Sequence, residues 1–284
     1  MDYNLKWSTV NPGHLVWLVD LSYSMSTNNK IGKVMTALQS SLREIIAGNA
    51  VGRNNFAPRF TTTIIGYNTD IVPLFPSSHL TFGSIDDAAE LIKKANTSHE
   101  PIFNYNKGGI AEPNWMTYMT KAFNAARENI EKWIAESKGK QLPAPIVINI
   151  TDGQPEEAKK TLEVCAKEAL EAAQRLKNVR TPHGNVLLWN LHIGDSGNLN
   201  ELLFPNTPPN PTGNAREDLR LKFLYESSSI MPEIIISRAP KDIPLQKGSH
   251  GMVSNIKEEA LLARLIAFGS TSTGMMGTEP EKPE

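Results

Sequence analysis

Two stretches of this 284-residue chain constrain its fold more than any others: His14–Val19 (HLVWLV) and Ile146–Ile150 (IVINI). Each is short, almost continuously apolar and rich in β-formers. Each stops at an aspartate, Asp20 in the first and Thr151-Asp152-Gly153 in the second. A run of this length without polar alternation reads as a strand buried on both faces. Such strands need helices on both sides of their sheet, and the rest of the chain offers them. Val34, Leu38, Leu42, Ile45 and Ile46 predict a helix over Ile31–Ala47, closed by Gly48 and Asn49. Met116, Met119, Phe123, Ala126, Ile130 and Trp133 fall at steps of three and four along one helical face. Glu156–Lys177 predicts a helix with acids in its first turn, where the dipole favours them. Shorter helices are expected at 85–95 and 216–227. A closing helix is expected over Asn255–Phe268, with Asn255 and Glu258 in capping-box spacing.

Asn185–Ile193 reads as a further strand. Arg59–Tyr67 and Ile71–Phe75 read as a hairpin through Asn68-Thr69-Asp70, with Pro73 suited to a sheet edge. The fold class that follows is α/β, a doubly wound, mostly parallel central sheet with one antiparallel edge strand and helices on both faces. Residues 96–115, with Gly108-Gly109, and residues 196–215 read as irregular loops. No second core or internal repeat is visible. The expectation is one domain over residues 1–268 and a polar, Pro/Gly-rich, disordered tail over 269–284.

Lys and Arg number 29 against 30 Asp and Glu, and no basic run stands out. This balance gives no electrostatic case for nucleic acid or an anionic membrane as partner. Cys165 is the single cysteine, which excludes an internal disulfide and a cysteine-rich zinc site. The first residues lack a signal-peptide pattern, and no segment approaches the roughly 20 apolar residues of a membrane span. The expected location is cytoplasmic.

In open α/β sheets, sites form beyond the carboxyl ends of strands, where the strand order reverses. Asp20 and Asp152 stand at two such ends. In an extended segment the alternation of Asp20, Ser22 and Ser24 turns three oxygens one way. Thr117, where an irregular loop enters the helix of the 116–133 stripe, offers a third hydroxyl. Carboxylate and hydroxyl oxygens are hard ligands, matched to Mg²⁺ or Mn²⁺ and poorly to zinc or copper. A cation held largely by neutral hydroxyls keeps much of its charge and attracts a carboxylate from another molecule.

The run VWLVDLSYS, with Asp20, Ser22 and Ser24, resembles the DxSxS signature of the metal-ion-dependent adhesion site (MIDAS) of von Willebrand factor type A (vWA) domains. INITDGQP, with Asp152, resembles that family's second signature. Thr117 followed by Ala122 resembles its third element, a Thr before a helix with Ala five residues on. The family often has Gly-Gly-Thr there, whereas Gly108-Gly109 is followed by Ile110, so Thr120 stands as the alternative to Thr117. The resemblance covers residues 13–268. It implies a vWA/Rossmann-like fold and a metal set of Asp20, Ser22, Ser24, Thr117 and Asp152. It further implies that a divalent cation, Mg²⁺ or Mn²⁺, coordinates an Asp or Glu of a partner protein. Gly248–Phe268 is similar to the closing helix of stand-alone bacterial forms from tellurite-resistance and stress clusters, which implies kinase or phosphatase partners.

Blander readings stand beside these. A serine after Asp20 can cap the following helix, and Asp152 can be a plain turn residue before Gly153. His192 reads as a satisfied structural histidine, Cys165 as packing, and His99-Glu100 as an exposed loop pair. Tyr23 and Trp115 read equally as partner contacts or loop cover. A plain scaffold without metal would make the two Asp strand ends accidental. A Mg²⁺-dependent phosphatase or phosphotransferase with Asp20 as nucleophile is the competing class. It wants a second Asp two residues on, where Ser22 stands, and no P-loop or Gly-x-Ser-x-Gly elbow is present. The expectation is therefore a binding module and not an enzyme.

Overall fold

The computed structural model describes residues 3–52, 55–98, 102, 116–194 and 200–271. Strand β1 (Gly13–Asp20) is buried throughout. A 3-10 turn (Tyr23–Asn29) leads into α1 (Lys30–Gly48). Then follow β2 (Phe60–Tyr67), β3 (Ile71–Phe75), the short β4 (Gly83–Ser84), α2 (Ile85–Ser98) and α3 (Met119–Glu136). The second half runs β5 (Ile146–Thr151), α4 (Leu162–Lys177), β6 (Arg180–Thr181), β7 (Gly184–Asn185), β8 (Leu187–Ile193) and β9 (Leu202–Leu203). It ends with α5 (Ala215–Ser227), α6 (Glu233–Ile236), β10 (Met252–Ile256) and α7 (Glu259–Thr271).

The main sheet has the order β3-β2-β1-β5-β8-β10-β9, with β4 beside β2. Strands β2, β1, β5, β8 and β10 are parallel to their neighbours in that core. The expected antiparallel edge strand is β3, which carries Pro73. The two-residue β9 closes the opposite edge, also antiparallel. Chain order moves outward from β1 to β2, then returns past β1 to β5 and continues outward the other way. The strand order therefore reverses between β1 and β5, the position where open α/β sheets leave a crevice at their carboxyl ends.

Both faces of the sheet are apolar because the side chains alternate across it. Leu15, Trp17 and Val19 of β1 join Ile148, Ile150, Trp189 and Leu191 in the core covered by α1, α2 and α7. Val16 and Leu18 join Val147 and Leu188 in the core covered by α3, α4 and α5. The stripe of Met119, Phe123, Ala126, Ile130 and Trp133 is buried there or at its margin. Each such side chain removed from water contributes about 1.5–3 kcal/mol, which is what holds helices of ordinary polar composition against the sheet.

Three expectations need correction. The helix expected from Glu156 begins at Leu162, capped by Thr161, whose Oγ1 accepts from Val164 N. Glu156 instead pairs by backbone with Thr117, so the preceding residues belong to the site and not to a helix. The helix expected from Met116 begins at Met119. The helix expected from Asn255 begins at Glu259, because Met252–Ile256 is a sheet strand. Asn255, with a left-handed backbone (φ 65) at a register shift between Val253 and Ile256, lies inside that strand ahead of the helix start and is not its cap. Helix α7 runs on to Thr271. The remainder of the expected tail, most of the 96–115 loop, His99-Glu100, Trp115 and Gly108-Gly109 lie outside the described residues.

Candidate metal centre

Asp20 ends β1 and is completely buried. Its Oδ1 accepts from Ser22 N at 2.8 Å, and its Oδ2 accepts from the Thr151 hydroxyl at 2.6 Å. The first bond folds the chain back after the strand. Ser22 is still extended, but Ser24 lies inside the 3-10 turn, so the simple alternation expected over 20–24 stops at Ser22. The turn nevertheless brings the two hydroxyls together, with Ser22 Oγ and Ser24 Oγ 3.2 Å apart. Ser24 Oγ then donates to Asp152 Oδ1 at 2.7 Å, which joins the β1 loop to the β5 loop.

Two backbone devices hold the other loops. Thr117 and Glu156 exchange both main-chain hydrogen bonds, each 3.1 Å. This fastens the entry to α3 onto the segment after β5. A β-carbon on Gly153 would lie 3.9 Å from Thr117 Oγ1, so that hydroxyl faces the Asp152-Gly153 turn. His192 holds the turn from behind. Asn255 N donates to its Nδ1 at 3.0 Å, which leaves Nε2–H to donate to the Asp152 carbonyl at 3.2 Å. The structural reading of His192 thus acquires a purpose: it fixes the main chain of Asp152.

Ser22, Ser24, Thr117 and Asp152 line one cleft of about 380 Å³, and Asp20 lies buried beneath it. Four of the five expected residues meet at this opening. Thr120, the alternative third-loop residue, is not on its lining. Tyr23, 44% exposed, and Met116 stand on the rim. The opposite wall comes from α5, through Asn214, Arg216, Glu217 and Arg220. Gln154 docks that wall: its amide donates to Arg216 O at 3.0 Å and accepts from Arg216 Nε at 2.9 Å. Sequence reading missed the α5 wall, because nothing local in Arg216 or Arg220 reports that the helix packs on α4, β8 and β10 and so borders the segment after β5.

Burial raises the Asp20 carboxyl to about 7, and the negative charge of Asp152 adds to the rise; hydrogen bonds from Ser22 and Thr151 oppose it. A second charge offsets this repulsion. Lys30, the first residue of α1, places Nζ 2.8 Å from Asp152 Oδ2. Among the described residues no three His, Cys, Asp or Glu side chains cluster as a metal site. Any cation held here would therefore take hydroxyl oxygens together with the two carboxylates. That donor set is hard and oxygen-only, and it fits Mg²⁺ or Mn²⁺.

No family model matches the chain, and no curated protein does. Solved structures do. The N-terminal domain of TFIIH p34 is 13% identical, with a TM-score of 0.50, over 92% of this chain and 99% of that one. The pilus adhesin SpaC of Lactobacillus rhamnosus GG is 13% identical, with a TM-score of 0.52, over 94% of this chain and 31% of that one. Proximal thread matrix protein 1 of the mussel byssus, with a zinc-occupied MIDAS motif, is 13% identical at a TM-score of 0.46, over 92% and 48%. The chain therefore spans about half the length of the mussel protein's structure and under a third of SpaC. At these identities the likeness extends to the fold alone. With the sheet order and the helices on both faces, the chain has an α/β fold of the vWA/Rossmann-like kind.

Proposed function

We propose that this protein is a metal-dependent binding module whose cleft between β1 and β5 takes an acidic side chain of a partner protein. The observation that carries the reading is the convergence of Ser22, Ser24, Thr117 and Asp152 on one cleft over buried Asp20. These residues come from three separate loops, and each loop is fixed by its own hydrogen bonds. Ser22, Ser24 and Thr117 would hold Mg²⁺ or Mn²⁺ with neutral oxygens, while Asp20 and Asp152 balance its charge. When bound, the cation supplies a hard Lewis-acidic centre open to a carboxylate oxygen. Arg216 and Arg220 on the far wall are paired with Glu156 and Glu217 of the same cleft, so the attraction for an acidic group would come from the cation itself.

A binding role is supported over phosphoryl transfer by the state of Asp20. Both of its oxygens already accept hydrogen bonds, and the side chain is enclosed. A nucleophile needs a lone pair aimed at substrate. The segment Gly248–Phe268, through its resemblance to bacterial stress-cluster forms, directs the search for partners toward kinases and phosphatases.

Calorimetric titration of Mg²⁺ and Mn²⁺ into wild type and Asp20→Ala tests the centre, with saturable binding expected only in the wild type. Capture of partners with and without chelator tests the binding role, with capture expected only in the presence of metal. Mg²⁺-dependent hydrolysis of an aryl phosphate, abolished by Asp20→Ala, would replace the binding reading with the enzymatic one.

A further inference from the structure

The ion pair inside the proposed centre is where the sequence motif and the structure diverge. Asp152 has both carboxylate oxygens engaged by the chain itself: Oδ1 by the Ser24 hydroxyl at 2.7 Å, and Oδ2 by Lys30 Nζ at 2.8 Å. The pair is enclosed, with side chains 5% and 1% exposed for Lys30 and Asp152. Lys30 is also an unfavourable residue for its position. It opens α1, where the helix macrodipole is positive and repels a cation. Burial of an ammonium adds a further cost unless it is paired. Two consecutive left-handed residues, Asn28 (φ 52) and Asn29 (φ 54), join the 3-10 turn to α1 immediately before Lys30. The local backbone is thus shaped in a way that an unconstrained helix start would not need.

We infer that Lys30 is a built-in counter-cation of the site, which competes with a divalent metal for Asp152 and sets the metal affinity. The inference rests on the metal-binding reading given above. With no metal present, the ammonium neutralises one of two facing carboxylates and keeps the three loops assembled. A metal ion that takes Asp152 oxygen must weaken the Lys30 contact and face its charge, so part of its binding free energy is spent against the ammonium. The residue therefore lowers the affinity of the site for metal.

The test is calorimetric titration of Mn²⁺ into the full-length wild type, Lys30→Met and Lys30→Gln, with thermal melts in chelator and in Mn²⁺. Met keeps the length of the stem without charge, and Gln keeps a donor to Asp152, so one covers for the other if folding suffers. The expected result is Mn²⁺ affinity at least tenfold tighter in both variants. Their melting temperatures in chelator should be lower than wild type, and their rise on adding Mn²⁺ should be larger. Wild-type binding with equal or weaker binding in the variants would overturn the role of Lys30 and leave the centre standing. Absence of binding in all three proteins would overturn the metal centre and this inference together.

Discussion

Strand β1 buries an ionisable group at each end, and the two ends have opposite fates. At the amino end His14 is enclosed, with Nε2 2.6 Å from Asn129 Oδ1 and Nδ1 2.9 Å from Thr61 Oγ1. Its ring stacks on Trp133 at 5.1 Å and meets Phe82 edge-on. Asn129 spends its amide protons on Thr63 Oγ1 and on the carbonyls of His79 and Thr81. At the carboxyl end Asp20 is equally buried, yet it lies under a cleft rimmed by hydroxyls and charges. Burial drives both groups toward neutrality, His14 down to about 4 and Asp20 up to about 7. A shifted titration alone therefore does not distinguish a site from a closed structural network. The difference lies in topology: the strand order reverses at the carboxyl end and leaves a crevice, while helix α3 and its neighbours seal the amino end.

The comparison can be broken most severely at Asp152. Asp152→Ala leaves the Lys30 ammonium buried without its counter-charge, and a loss of about 3–5 kcal/mol is expected. Urea unfolding in chelator measures it. Combining Asp152→Ala with Lys30→Met should restore most of the loss, since both charges then leave together; a double variant no more stable than the single would mean that the pair is not the cause. The amino end gives the next effect. Asn129→Leu strands the His14 Nε2–H and two carbonyls, with an expected cost of about 2–3 kcal/mol. Metal affinity should not change, and a change would show that the two ends are coupled.

How much of this was legible depended on range. The two buried strands, the hairpin with Pro73 and the stripe of α3 are written in local pattern, because periodicity and burial are the same fact for them. The DxSxS and Thr-Asp-Gly runs sit at strand ends, so Asp20, Ser22, Ser24 and Asp152 stand out as candidates in the sequence alone. Thr117 needed its long-range pairing with Glu156, and that pairing is also why the expected helix at 156 was wrong. Strand β10 went unseen because Ser254 and a left-handed Asn255 interrupt its five residues. Lys30 stands just before the helix expected over Ile31–Ala47 and carried no local signal. Only the fold places it against a carboxylate 122 positions away.

A smaller effect sharpens the amino end through pH. His14 holds its folded-state value near 4, below the 6.5 of an exposed histidine. The unfolded chain therefore takes up the proton first as pH falls. Stability from this group is complete above 6.5 and is lost as pH falls from there toward 4. Between pH 7 and pH 5 the loss should be about 2 kcal/mol. Urea midpoints of wild type and His14→Gln at the two pH values check this, and the slope should be reduced in the variant. An equal slope would assign the acid sensitivity to other groups.

The smallest effect on stability belongs to the hydroxyls at the carboxyl end. Ser22→Ala with Ser24→Ala removes the Ser24 donor to Asp152 Oδ1 but leaves both bonds of Asp20 and the Lys30 pair in place. Ser24 is exposed at the rim, so water can replace its hydroxyl there. Stability should fall by no more than about 1 kcal/mol. Affinity for Mg²⁺ or Mn²⁺ should fall at least tenfold, because two of the three neutral oxygens offered to the cation are gone. If the double variant binds metal as tightly as wild type, the cleft does not hold the ion through these serines. If instead it unfolds like Asp152→Ala, the hydroxyls are structural in the same sense as Asn129, and the contrast between the two ends of β1 disappears.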